Sequence, residues 1–204
     1  TCSNHQTVLT SFVNGHQLKL FAKPDLEQTL SFLKRINSVS HKEFQPPTHD
    51  AIEAVLDYKD FSDSLNWRLD SIAKLIDSNL DPEMALMSQS ITRYVDSTRY
   101  SQDLLILQEF IEATSQTGLG QKFVSPSDLG SHNVLGDSGR LTFIDFEYSG
   151  IDSGINLLGD FLTQPDTEIA REDALEFSKK FLSSIFRLDK VRLESVLRLH
   201  SVRW

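Results

Sequence analysis

Apart from a short predicted strand at residues 7–13, β-type sequence is confined to one stretch, residues 122–146. This stretch lies between two long stretches in which apolar residues recur at helical spacing. The upstream positions that recur in this way are Leu26, Leu30, Leu33, Ile36, Leu65, Leu69, Ile72, Ile76, Met84, Met87, Ile91, Val95, Leu104, Leu107 and Ile111. The downstream positions are Ala170, Ala174, Phe177, Phe181 and Ile185, and Asp189 begins a last helix. The pattern predicts a predominantly helical α+β domain with a small central β-hairpin.

Local signals predict where several of the helices begin. Asp25 and Gln28 read as a capping box, and Asp81-Pro82 combines a cap with a first-turn proline. Asp50 and Glu53 predict a short helix of their own.

Large side chains on the predicted helices are expected to be buried. Met84 and Met87 share one helix face, which we interpret as core. Trp67, Tyr94 and Tyr100 either line a substrate cleft or pack in the interior, and we favour packing.

Composition and charge exclude several classes of protein. The 204 residues suffice for one domain with a core, and the longest apolar stretches are far too short to span a bilayer. The net charge is −9 without a cluster of lysine and arginine, so we predict neither a nucleic-acid nor a membrane partner. Cys2 is the only cysteine, and no secretory leader is recognisable, which favours a cytoplasmic location.

Three polar residues lie at the edges of the β-type segments: Asp128, Asn133 and Asp145. If the hairpin pairs Leu135 with Arg140, Asn133 and Asp145 emerge at its open end, with their backbones within about 10 Å of each other in space. A carboxylate and an amide oxygen that converge in this way suit Mg²⁺, and Asp128 on the preceding loop could accept a proton from a hydroxyl. Taken singly, each residue is better explained as a turn or strand-edge residue, and only the joint pattern favours a site.

The spacing of these residues resembles that of the aminoglycoside phosphotransferase and choline kinase group. Asp128 and Asn133 reproduce a catalytic-loop pattern of Asp, four residues and Asn, and Ile144-Asp145-Phe146-Glu147 resembles the metal-binding strand end. Asp152 and Asp160 fall where this group places structural acidic residues. The resemblance spans nearly the whole chain and is specific in residues 124–161. It implies the C-terminal lobe of a protein-kinase-like fold.

The resemblance also implies a role for individual residues. Residues 1–16 would form the last strand of the smaller lobe and the hinge, and residues 17–204 the helical catalytic lobe. Backbone at Ser11, Phe12 and Val13 would bind the adenine of ATP. Asp128 would be the catalytic base, while Asn133 and Asp145 would hold Mg²⁺.

The implied activity is transfer of the γ-phosphate of ATP to a hydroxyl of a small molecule, in a chain that departs from the family pattern in three ways. Pro126 stands where relatives carry a histidine, Ser153-Gly154 stands where Asp-Pro is common, and no Gly-rich loop or strand lysine precedes Thr1. We expect those missing parts in a full-length protein of which both ends are cut here.

Two alternatives stay open: a pseudokinase or nucleotide-binding module without transferase activity, and an unrelated helical interaction protein. The sequence leaves undecided the acceptor, the oligomeric state and the role of Glu147. His132, next to Asn133, is expected to support the loop and not to bind metal.

Overall fold

The computed structural model describes residues 13–38, 47–76, 82–116, 122–165, 167–182 and 190–203. The helices are α1 (Lys23–Ser38), α2 (Tyr58–Ile76), α3 (Pro82–Val95), α4 (Thr98–Gln116), α5 (Gly154–Thr163), α6 (Arg171–Leu182) and α7 (Lys190–Arg203). The strands are β1 (His16–Gln17), β2 (Leu20–Phe21), β3 (Lys122–Ser125), β4 (Val134–Asp137), β5 (Arg140–Phe143), β6 (Gly150–Ser153) and β7 (Glu168–Ile169). The prediction of a helical domain with little β-structure is confirmed. The predicted strand at residues 7–13 lies outside the described residues, apart from Val13.

The strands form three small sheets. The hairpin β4–β5 gains β1 as a third strand, in the order β1-β4-β5, so it is not the isolated two-stranded hairpin that we predicted. β3 pairs antiparallel with β6, and β2 pairs parallel with β7. These short pairings join segments that are distant in sequence and hold the hairpin against the helices.

The hairpin register differs from the expected one by two residues. Leu135 lies opposite Thr142, and Asp137, not Leu135, lies opposite Arg140. The loop is therefore only Ser138-Gly139, whose φ angles of 50° and 78° form the type I′ turn that matches the twist of a hairpin. The tighter turn lengthens the paired ribbon, so that Asn133 lies opposite Ile144.

Helix α1 begins one turn earlier than the capping-box prediction placed it. Asp25 is not the cap residue; its Oδ2 accepts a hydrogen bond from the Ala22 backbone N–H at 3.0 Å, from within the first turn. Gln28 instead makes two hydrogen bonds to the hairpin backbone. Its Nε2 donates to the Gly139 carbonyl and its Oε1 accepts from the Leu141 N–H, both at 3.0 Å.

Two hydrophobic clusters meet at helix α5. One cluster joins α1, the hairpin, α5 and α6, through residues such as Leu33, Phe161 and Phe177. The other joins α2, α4, α5 and α7, through residues such as Leu65 and Leu107. Every residue of α5 from Gly154 to Phe161 is buried, which makes this helix the central element.

Three expectations about local structure are wrong. Residues 50–53 form a turn and a bridge to Ile151 and no helix, because Ala51 and Ile52 donate their N–H groups to the strand segment 148–151. Met84 and Met87 are exposed, since α3 turns Ser88, Ile91 and Tyr94 inward instead. Trp67 is 66% exposed, whereas Tyr94 and Tyr100 do pack as predicted.

None of the helices within the described residues is both long and apolar enough to cross a membrane.

Helices α5 and α7 approach closely where Gly159 faces His200. A Cβ atom at position 159 would lie 2.4 Å from the His200 ring, so a larger residue there would force the helices apart. The His200 ring is fully buried, and its Nδ1 and Nε2 lie 2.9 Å from the Val196 carbonyl and 3.3 Å from Asn156 Oδ1. Glycine at 159 therefore sets the distance between the two helices.

A buried carboxylate, Asp103 on α4, joins α3, α4 and α7. It accepts hydrogen bonds from Arg198 Nε and Nη2 at 2.7 Å, from Tyr94 Oη at 2.7 Å and from Ser195 Oγ at 2.8 Å. Burial alone would raise the pKa of Asp103, but the hydrogen bonds from Arg198, Tyr94 and Ser195 outweigh it and lower this pKa below its ordinary value.

We expect the protein to lose stability in acid through this carboxylate. Because the pKa of Asp103 is lower in the folded state, its contribution is complete above the unfolded pKa of about 3.9 and is lost as the pH falls through the folded value. Asp103→Asn should lower the unfolding free energy at neutral pH by about 2–4 kcal/mol and flatten its dependence on pH below about 4. Urea titrations at several pH values measure both effects.

The matched control is Asp63→Asn on α2, since Asp63 pairs with Lys59 at the exposed surface. An exposed pair contributes at most about 1 kcal/mol, so this variant should keep the acid dependence of the parent protein. Equal effects of the two substitutions would contradict the role of Asp103.

Candidate active site

The loop between β3 and the hairpin presents Asp128 at the surface. The Asp128 N–H donates to the Pro126 carbonyl at 2.9 Å, and the Ser127 N–H donates to Ser125 Oγ at 3.0 Å. Ser127 adopts a φ of 66°, and its hydroxyl donates to the Ile52 carbonyl at 2.8 Å. This tight turn ties the loop to the 47–57 segment and fixes the backbone that carries Asp128.

Both carboxylate oxygens of Asp128 have a side-chain partner. Gln164 Nε2 donates to Oδ1 at 2.8 Å, and His132 Nε2 lies 2.9 Å from Oδ2. The Asp128 side chain is still 30% exposed, so the carboxylate is held on two sides and open on another. His132 supports the loop as expected, by contacting the predicted base itself.

Asn133 ends a 3₁₀ turn (Ser131–Asn133) that leads into β4. Its Nδ2 donates to the Asp128 carbonyl at 3.0 Å, which links the loop to the start of the hairpin. Its backbone carbonyl accepts from the Ile144 N–H at 3.0 Å, the residue before Asp145. Asn133 therefore connects the Asp128 loop with the Asp145 segment, and its amide orientation leaves Oδ1 available as an acceptor.

Asp145 follows directly after the ribbon. Its backbone is left-handed with a φ of 61°, a conformation that aspartate tolerates better than most residues. The Asp145 carboxylate is exposed and accepts no hydrogen bond from the residues that the structure describes. It is thus free to bind a ligand.

A stack of phenylalanines fixes the backbone on both sides of Asp145. The ring centroid of Phe32 on α1 lies 4.2 Å from that of Phe143, with ring planes 12° apart, and 5.9 Å from that of Phe146. Aromatic pairs of this kind are each worth about 0.5–1.5 kcal/mol beyond their buried area. They hold the turn that displays Asp145 against α1.

The electrostatic field at this end of the hairpin is negative. The phenol of Tyr148 has a raised pKa, chiefly because of its hydrogen bond and charge interaction with Glu147, then because of desolvation, and last because of the charges of Asp145 and Asp128. One side chain thus senses all three carboxylates. The structure brings Asp128, Asn133 and Asp145 to one end of the ribbon, where a cation would be attracted.

The donor atoms fit a hard cation that needs few protein ligands. Asn133 offers an amide oxygen, and Asp145 offers a carboxylate without a protein partner among the described residues. Within the same residues, no group of three or more His, Cys, Asp or Glu side chains is arranged to hold a metal ion. Mg²⁺ commonly takes one or two carboxylates and completes its shell with water and phosphate, so this sparse set suits it.

The hinge prediction is only partly covered by the structure. Ser11 and Phe12 lie outside the described residues, and Val13 is described without a strand or helix.

Asp152 is buried and accepts hydrogen bonds from the Val55 N–H at 2.9 Å and Asn156 Nδ2 at 2.8 Å. Asp152 therefore takes the structural role that the resemblance implies.

Sequence reasoning missed Gln164 and Thr167. Thr167 Oγ1 accepts from the Ser131 N–H at 3.0 Å, and Gln164 contacts Asp128. Neither stands in a recognisable motif. The one available signal is that Gln164 and Pro165 end a helix rich in apolar residues, where a polar side chain that becomes buried needs a partner.

Comparison by sequence finds no matching family model and no matching curated protein. Comparison by structure finds a choline kinase from Cryptosporidium parvum Iowa II, with a TM-score of 0.55 and 17% sequence identity. The match covers 95% of this chain and 61% of the choline kinase. An ethanolamine kinase from Plasmodium vivax matches with a TM-score of 0.47 and 14% identity, over 95% of this chain and 55% of that enzyme.

The likeness to the choline kinase shows the fold. The chain has a protein-kinase-like fold, and it spans less than two thirds of the structures it matches. The fold class predicted from sequence is confirmed.

Proposed function

We propose that the protein transfers the γ-phosphoryl group of ATP to a hydroxyl group of a small molecule. The observation that supports this most is the meeting of Asp128, Asn133 and Asp145 at one end of a hairpin, in a fold similar to that of a choline kinase. Phosphoryl transfer needs positioned reactants and neutralised charge more than covalent chemistry by the protein. Asp128 would position the acceptor, and a cation held by Asn133 and Asp145 would neutralise the phosphate charge.

Asp128 is proposed as the base that orients and deprotonates the acceptor hydroxyl. Its open side faces solvent while its two oxygens are held from the protein side, so an acceptor can approach without displacing either partner. The acceptor oxygen forms a bond to the γ-phosphorus, the bond to the β,γ-bridging oxygen breaks, ADP leaves, and the acceptor proton passes to Asp128.

Asn133 and Asp145 are proposed to hold Mg²⁺ through Oδ1 and the carboxylate. When bound, the ion supplies positive charge that neutralises the phosphate oxygens. Glu147 adds negative charge nearby and could strengthen cation binding without contacting the ion. Backbone at Ser11, Phe12 and Val13 remains the proposed adenine contact, and the proposed location of the protein remains the cytoplasm.

A second candidate, a pseudokinase that binds nucleotide without transferring phosphate, is favoured by one feature. Pro126 occupies a position where relatives carry a histidine, and proline has neither an N–H nor a side-chain hydrogen-bonding group to replace that histidine.

One experiment separates the two candidates. The natural protein at its full natural length is incubated with ATP, Mg²⁺ and a panel of small hydroxylated metabolites, and ADP formation is measured together with the melting temperature. Acceptor-dependent ADP formation supports the kinase. Magnesium-dependent stabilisation by ATP without ADP formation supports the pseudokinase, because a ligand that binds the native state raises its stability. If ATP causes neither ADP formation nor stabilisation, the helical interaction protein is the remaining interpretation.

A further inference from the structure

The Asp128 carboxylate is held by a side chain that lies 36 positions further along the chain. Gln164 is only 7% exposed, and its Nε2 donates to Asp128 Oδ1 at 2.8 Å. A carboxylate only accepts hydrogen bonds, so the amide nitrogen, not the oxygen, must face it. Because Gln164 is buried, its hydrogen bond to the partly exposed Asp128 carboxylate restricts the rotation of that carboxylate.

Gln164 is itself fixed by the turn that follows α5. Its backbone carbonyl accepts from the Thr167 N–H at 3.0 Å, and the Thr167 hydroxyl accepts from the Ser131 N–H at 3.0 Å. The turn therefore contacts the Asp128 loop twice, once at the Asp128 carboxylate and once at the Ser131 backbone. Its base, helix α5, is the most buried helix described.

His132 completes the arrangement from the opposite oxygen. Its Nε2 lies 2.9 Å from Asp128 Oδ2, and a ring N–H at that position is required for a hydrogen bond to a carboxylate. With one donor on each oxygen, the plane of the carboxylate is set, and a lone pair stays free on the open side.

We infer that Gln164 is a positioning residue for Asp128, with His132 as its counterpart on the second oxygen. This inference rests on the proposed function, because it assumes that Asp128 acts on an acceptor hydroxyl. It explains how the loop with Pro126 keeps its aspartate oriented: the support comes from a buried amide just after α5 and a histidine four residues after the aspartate, not from the residue two positions before it.

The test is Gln164→Met, which keeps the length of the side chain and removes its hydrogen bonds. In the full natural protein we expect kcat to fall about 10- to 100-fold, the loss typical of a hydrogen bond to a charged group, while KM for ATP changes by less than about 2-fold. The matched control is Gln108→Met on α4, which makes the same chemical change away from the candidate site, where Gln108 Nε2 donates to Glu112 Oε1 at 2.8 Å. It should leave kcat within about 2-fold of the parent value.

A double-mutant cycle distinguishes positioning from general loosening. If Gln164 acts through Asp128, Gln164→Met should cause no further loss of kcat in the Asp128→Asn background, since residues that act as a unit are not additive. Independent, multiplying losses would overturn the inference, as would an unchanged kcat in Gln164→Met alone.

A second readout does not depend on activity. The side-chain amide resonance of Gln164 should shift in the NMR spectrum of Asp128→Asn, since its carboxylate partner is lost. An unmoved resonance would overturn the inference even if the protein proves to be a kinase. Conversely, a shifted resonance in a protein without transferase activity would show the contact to be real and the proposed function, together with the positioning role, to be wrong.

Discussion

Asp128→Asn is expected to lower kcat for phosphoryl transfer by about 10²- to 10⁴-fold, the range over which a positioned general base contributes. The substitution keeps the shape of the side chain but removes the oxygen that would take the acceptor proton. KM for ATP should change little, because Asp128 is proposed to meet the acceptor and not the nucleotide. Initial rates of ADP formation with the best acceptor from the panel measure both constants.

The matched control is Asp137→Asn at the far end of the same hairpin. Asp137 is exposed and accepts a hydrogen bond from Ser138 Oγ, so its substitution makes the same chemical change away from the candidate site. The control should keep full activity, and both variants should melt within a few degrees of the parent protein, because each substituted side chain is partly or fully exposed. Full activity in Asp128→Asn would eliminate the assigned role.

Asp145→Asn is expected to abolish detectable transfer and the stabilisation by ATP that depends on Mg²⁺. The carboxylate is the one charged group in the proposed donor set, and an amide in its place binds a hard cation far less well. At ATP concentrations near 100 times Kd, a bound ligand adds about 2.7 kcal/mol to the unfolding free energy of the parent protein, and most of this gain should be missing in the variant. Thermal unfolding with and without Mg²⁺ measures it.

Glu147→Gln separates local charge from ligation. Glu147 lies close enough to raise the pKa of Tyr148, as Asp145 does, but no oxygen of Glu147 is needed in the proposed donor set. This variant should weaken the dependence on Mg²⁺ without removing it. If Glu147→Gln lost the dependence on Mg²⁺ completely and Asp145→Asn kept it, Glu147 and not Asp145 would be the ligand, which would contradict our assignment.

The parts of the site that local sequence determines could be predicted. Asp128, Asn133 and Asp145 are separated by a short loop and one hairpin, and the pairing of adjacent strands brings their ends together. Even the wrong register did not disturb this result, because a shift of two residues keeps each side chain on its own face of the ribbon. The expected pairing of Leu135 with Arg140 leaves Gly136 and Asp137 in the loop, because both look like turn residues, whereas the observed turn is only Ser138-Gly139.

Contacts between distant segments could not be predicted. Gln164 reaches Asp128 only because α5 lies under the loop, and neither residue type signals the other. Asp103 has three charged or polar partners on two other helices, of which the sequence spacing gives no hint. The predicted burial of Met84 and Met87 is wrong for a related reason. Periodicity shows that a face is apolar, but tertiary packing decides which face is covered.

The close approach of α5 and α7 at Gly159 and His200 has a consequence for the order in which a newly made chain gains its shape. A ribosome releases the Asp128 loop and the hairpin well before it releases α7, yet α5, which presents Gln164, packs against that later helix. A nascent chain that stops before α7 would contain Asp128, Asn133 and Asp145 while lacking the partner that seats α5. The contact that seats α5 against α7 can therefore form only after the last described helix has left the ribosome.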